Sequence, residues 1–135
     1  HANIPKNNML DLYAGSKMTN HGGFYKNEPH HLKGLTLWNY KRVGKPKENY
    51  GFWNLSGKGM YWGFSVVNPT VVGLHGSSTS LKEESIGYLE SLGTKVFPAS
   101  LYEAQLKQRL GKTPKWVCKT LKEWKKMEKK FTKNK

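Results

Sequence analysis

Two segments of this chain copy one another. Gly34-Leu35-Thr36-Leu37-Trp38-Asn39 and Gly63-Phe64-Ser65-Val66-Val67-Asn68 share glycine, a large apolar residue, a hydroxyl, an aliphatic, a free position and asparagine, 29 residues apart. Upstream, Gly22-Gly23-Phe24-Tyr25 precedes the first copy much as Tyr50-Gly51-Phe52-Trp53 precedes the second. A repeat of this length marks stacked units, none of which buries its apolar face alone.

Alternation decides strand against helix. Leu35, Leu37 and Asn39 share one face of the first copy, and Thr36, Trp38 and Tyr40 the other. In the second copy Phe64, Val66 and Asn68 oppose Ser65 and Val67. Apolar recurrence at three and four is missing, so both copies are predicted strands. If equal coils stack in parallel, Leu35 lies on Phe64, Leu37 on Val66 and Asn39 on Asn68, and the asparagines exchange amide hydrogen bonds at an inward turn. The expected fold is mainly β: the last coils of a right-handed parallel β-helix, followed by a C-terminal helical appendage. An antiparallel meander of two similar strands is the alternative.

A chain of 135 residues provides one ordinary domain. No run approaches the ~20 apolar residues of a membrane span. Cys118 is the single cysteine, which excludes an internal disulfide and a cysteine metal cluster. The formal charge of +14 is uneven: residues 112–135 hold ten lysines against Glu123 and Glu128, a net +8, leaving +6 for the rest. Such a tail attracts phosphates. It comes without zinc-finger spacing, a helix-turn-helix pattern or an RNA-recognition signature, so the sequence favours a solvated helix face over nucleic-acid binding.

Composition shifts near Gly76, dividing the chain into coils over 1–76 and, over 77–135, a loop and helical cap with a lysine-rich tail. Ser100-Leu101-Tyr102-Glu103 is a capping box, and Gly111 after Leu110 is a good terminator. Thr120-Leu121-Lys122-Glu123 repeats the capping pattern and predicts a second helix start, with Leu121, Trp124, Met127 or Glu128, and Phe131 tracing a narrow, mainly apolar stripe. The stripe predicts docking, with the open end of the coils as the expected surface.

The stretch from Pro98 through Ser100-Leu101-Tyr102-Glu103-Ala104-Gln105-Leu106 to Gly111, followed by Pro114-Lys115-Trp116, resembles the C-terminal region of secreted bacterial right-handed parallel β-helix proteins of the pectate-lyase-like superfamily. There a last coil similar to Val71-Val72-Gly73-Leu74-His75-Gly76 leads through an acidic segment into such a helix. The resemblance covers roughly residues 30–117. It implies a secreted or cell-surface protein that degrades an acidic polysaccharide as a lyase or glycoside hydrolase. With room for only two to three coils, the chain is expected to be the C-terminal part of a longer protein, partnered by its N-terminal remainder, with the main catalytic residues towards or beyond its first residues.

In such lyases the base is often Arg or Lys, helped by a divalent cation such as calcium. Arg42 and Lys41 are the candidates by residue type. Trp38, Tyr40, Trp53 and His75 are expected to face outward and bind sugar, aromatic rings stacking on sugar faces while cations pair with carboxylate. His21, His30 and His31 cluster in sequence with Lys26 and Glu28, a combination suited to acid and base chemistry. Adjacent His30 and His31 point to opposite strand faces, and structural histidines are the simpler reading. An N-terminal His1 can chelate copper, but a boundary or tag remnant explains it more simply. Three classes follow: an enzyme segment, a noncatalytic carbohydrate-binding or end-capping module, and a basic nucleic-acid binder.

Overall fold

The computed structural model describes residues 6–15, 31, 33–43, 66, 68–76, 83 and 86–133, with side chains to residue 131. These fall in two compact units, His1–Val96 and Phe97–Lys135.

The first unit is built from short strands: β1 (Met9–Asp11), β2 (Ala14–Gly15), β3 (Thr36–Trp38), β4 (Lys41–Arg42), β5 (Thr70–Val72), β6 (His75–Gly76) and β7 (Tyr88–Glu90). They form two sheets, β1-β3-β5-β7 and β2-β4-β6. Every pair is parallel. The alternative of an antiparallel meander is thereby excluded for these strands. With the two helices described below, the chain is mixed α/β.

The register corrects the repeat. Met9 pairs with Thr36, Thr36 with Thr70 and Thr70 with Tyr88, so successive steps span 27, 34 and 18 residues. Leu37 therefore lies on Val71. Val66, expected on Leu37, instead makes an isolated parallel bridge with His31. Phe64 lies outside the described residues. The unit boundary moves as well: β7 belongs to the first sheet, and the division falls after Val96 rather than at Gly76.

What repeats physically is a corner. Each strand of the first sheet is followed by a residue at positive φ: Leu12 (52°), Asn39 (50°), Gly73 (70°) and Ser91 (54°). The N–H of the corner residue donates one step along the stack, Leu12 to the Trp38 carbonyl, Asn39 to Val72 and Gly73 to Glu90, at 2.9 to 3.0 Å. A second row follows, with Lys41 N–H donating to Tyr13, His75 to Tyr40 and Gly93 to Leu74. Connections of unequal length thus leave equal corners, because backbone groups must be paired wherever the turn is buried.

The apolar columns follow from the corner. Leu10, Leu37, Val71 and Leu89 occupy the inner position of the first sheet. Three residues later come Tyr13, Tyr40, Leu74 and Leu92. Leu37, Tyr40, Val71 and Leu74 are fully buried, with Leu10, Leu89 and Leu92 packed against them. Tyr13 and Tyr40 stack with ring centroids 4.8 Å apart at 29°, about the strand spacing itself.

Asn39 closes the stack by an unexpected route. Its side chain does not meet Asn68, since in this register residue 39 lies beside Gly73. Asn39 Nδ2 donates to the Val96 carbonyl at 3.0 Å, and the Val96 N–H donates to Asn39 Oδ1 at 2.9 Å. Gly73 makes room: a Cβ there would stand 2.7 Å from Asn39 Oδ1 and 3.2 Å from Val96 Cγ2.

The second unit holds α1 (Leu101–Leu110) and α2 (Lys115–Lys133). Ser100 caps α1 as the sequence predicts, its Oγ accepting from the Glu103 N–H at 3.1 Å, and Gly111 ends it at φ 71°. Helix α2 begins at Lys115, ahead of the predicted start at Thr120. Cys118 N–H donates to the Pro114 carbonyl at 3.3 Å, and Thr120 Oγ1 donates back to the Trp116 carbonyl at 3.0 Å. Thr120 is thus an interior residue bonded to the preceding turn. Val117, buried, opens a seam continued by half-buried Leu121 and Trp124. No described helix is long and apolar enough to cross a membrane.

Candidate functional site

Alternation along the strands leaves two outer rows on the first sheet. One runs Met9, Thr36, Thr70, Tyr88 and the other Asp11, Trp38, Val72, Glu90. Trp38 is half-buried, Tyr88 is 54% exposed and Glu90 is exposed, while Val72 is covered. Tyr88 Oη donates to Glu90 Oε2 at 2.6 Å. That bond, and the carboxylate charge, hold the phenol above the ordinary tyrosine pKa. The face thus offers an indole, a phenol and two carboxylates along four adjacent strands.

The sequence singled out Trp38 on this face and passed over Asp11, Tyr88 and Glu90. A signal for them existed. Leu10…Tyr13, Leu37…Tyr40, Val71…Leu74 and Leu89…Leu92 are all apolar pairs three apart, with the outer residue directly after the first member. That spacing belongs neither to a strand nor to a complete helical face, so neither periodicity template finds it.

The other expected site residues divide. Lys41 lies in the second sheet between Ala14 and His75, half-buried. Tyr40 is not outward: it is 0% exposed in the core. Arg42, expected as an accessible base, is 3% exposed, with Gly15 and Gly76 on the adjoining strands. Both corrections have one cause. The positive φ of Asn39 turns the chain, so the alternation that puts Thr36 and Trp38 outside restarts with Tyr40 and Arg42 inside.

His75 is also buried, at 7% exposure. Its Nδ1 lies 2.7 Å from the Gly73 carbonyl, which can only accept, so Nδ1 is the donor in that bond. His31, 3% exposed, occupies its bridge to Val66. His1, His21, His30 and Trp53 lie outside the described residues.

Distances limit the chemistry. Asp11 and Glu90 stand three ladder steps apart, about 14 Å along the stack at ~4.8 Å per step. Paired carboxylates of glycoside hydrolases stand roughly 5 to 9.5 Å apart, so these two do not form such a pair. They are also too far apart to share a calcium ion, whose oxygen ligands lie within about 2.6 Å of the metal. Among the described residues no three of His, Cys, Asp and Glu gather as a metal site.

In the helical unit, a groove of about 610 Å³ runs along α1 past Glu103, Lys107 and Gln108. Its lining includes no aromatic residue. Ligand pockets are usually rich in such groups, so the first sheet is the better candidate.

Fold and face together define a protein of stacked parallel strands with an aromatic and acidic outer surface, followed by a helical unit. Residues 1–120 match the family described as Domain of unknown function (DUF4955), and the chain belongs to that family. No curated protein and no solved structure matches it.

Proposed function

We propose that the stacked strands are coils of a right-handed parallel β-helix, and that the chain is the C-terminal part of an extracellular polysaccharide-degrading protein acting on an acidic glycan. The observation that carries this reading is the register. It places Trp38 on the outside of the first sheet and Lys41, just past the Asn39 corner, on the outside of the second. An indole stacks on a sugar ring, and an ammonium pairs with a uronate carboxylate. The formal +6 of residues 1–111 favours an anionic polymer over a neutral one.

Within this reading the segment binds, and chemistry falls to Lys41 or to residues elsewhere in the protein. A noncatalytic binding module is the second reading, favoured by the burial of Arg42 and the separation of Asp11 from Glu90.

Titration calorimetry with oligogalacturonate, beside assays for unsaturated products and for new reducing ends, tests both. Trp38→Ala should weaken binding about tenfold, as for an aromatic anchor. Loss of turnover in Lys41→Ala with binding retained assigns it the proton transfer, whereas unchanged turnover leaves binding alone. Equal affinity of Trp38→Ala and the native chain would sink the glycan reading.

A further inference from the structure

Helix α2 carries more exposed apolar surface than a solvated helix needs. Trp116 is 59% exposed, Met127 52% and Phe131 71%. At 3.6 residues per turn these three, with Thr120, fall in one strip about 60° wide and about 22 Å long. On one side of the strip runs the seam of Val117, Leu121 and Trp124, buried or half-buried. On the other, beyond Glu123, stand exposed Lys119, Lys126 and Lys130. Between Lys115 and Lys133 there are eight lysines against Glu123 and Glu128.

We propose that this face of α2 docks in the plane of an anionic lipid surface. The inference is independent of the glycan reading. An apolar ridge beside a lysine row is the pattern of helices that lie at the headgroup boundary, with the apolar side shallowly inserted and the cations among anionic headgroups. Trp116 suits that boundary, where an indole keeps its N–H wet and its rings dry. Lysine stems reach up along the apolar strip while their ammonium groups stay in water. A polyanionic polymer would satisfy the lysines and offer stacking partners to Trp116 and Phe131, but it would leave Met127 in water, since a thioether offers neither charge nor stacking face. A bilayer surface uses both rows.

Flotation of the full chain with vesicles of equal parts phosphatidylcholine and phosphatidylglycerol, against phosphatidylcholine alone, tests the proposal. Binding should require the anionic lipid and weaken with salt. The double variant Met127→Ser/Phe131→Ser removes two exposed side chains, so helicity by circular dichroism should persist. Its vesicle affinity should fall at least tenfold while retention on heparin is unchanged, about the loss for taking that much apolar area back into water. Exchange of Lys119, Lys126 and Lys130 for Glu should abolish vesicle binding. The proposal is overturned if the serine variant binds mixed vesicles as tightly as the native chain. It is equally overturned if the native chain holds heparin or DNA but not vesicles, which would make the lysine row a polyanion site.

Discussion

Gly73 and Gly111 have nearly the same φ, 70° and 71°, and stand in opposite kinds of structure. Gly111 ends α1 in open space, with nothing within 4 Å of where a Cβ would be. Gly73 turns a corner under the side chain of Asn39, which passes it to reach Val96, 57 residues away in sequence. The helical unit is fixed by neighbours in the chain: Ser100 caps Glu103 three residues on. The stacked unit is fixed by partners 18 to 34 residues apart along the ladder. The same positive φ is therefore a local stop signal in one unit and a packing requirement in the other.

The largest expected contrast lies in the cores. Leu37→Ala, at a fully buried position, should cost about 2–5 kcal/mol in urea denaturation, whereas Leu110→Ala, half exposed on α1, should stay within about 0.5 kcal/mol. Comparable losses would mean that the stacked unit is no more dependent on packing than the helical one.

The glycines give the next step. Gly111→Ala should cost about 1–2 kcal/mol from left-handed backbone strain alone. Gly73→Ala carries the same strain and also displaces the Asn39 amide from Val96, for a total of about 2–4 kcal/mol. Equal losses in the two variants would show that Asn39 yields freely and that the lock on Val96 contributes nothing.

Within the helical unit, Ser100→Ala should lose about 1 kcal/mol by uncapping α1. Thr120→Ala should change thermal stability by no more than about 0.5 kcal/mol, because Thr120 only bonds back to the preceding turn. A full capping loss at Thr120 would restore the helix start that the sequence pattern suggests.

The smallest effect is a titration. Tyr88 loses its proton above the ordinary tyrosine value because its hydroxyl donates to the Glu90 carboxylate and the anion opposes phenolate. A folded pKa raised above the unfolded one means that any stabilisation is present below the unfolded value and is lost as pH rises through the folded one. Phenolate absorbance, taken as a difference against Tyr88→Phe, should show Glu90→Gln returning the transition towards the ordinary value. No change in Glu90→Gln would remove the bond from the outer face.

How much was legible follows from the same contrast. Parallel stacking and the capped α1 were readable, one from a repeated alternating segment and the other from Ser100, Glu103 and Gly111. The register was not. Gly34 to Asn39 resembles Gly63 to Asn68 more closely than it resembles Asn68 to Gly73, its neighbour in the ladder. Leu37 fits Val66 and Val71 equally well as chemistry, and the ladder pairs it with Val71. Of the candidate site, Trp38 was visible as an outward residue, while Tyr40, Arg42 and His75, expected to be accessible, are buried.

The sequence alone determined the strand character of residues 36–38, the cap and stop of α1 and the lysine face of α2, since each depends on residues within one or two turns of chain. Tertiary structure decided which strands are neighbours, where the alternation restarts and which polar groups are buried. Those depend on one backbone angle at Asn39 and on hydrogen bonds between distant segments, which composition and spacing do not encode.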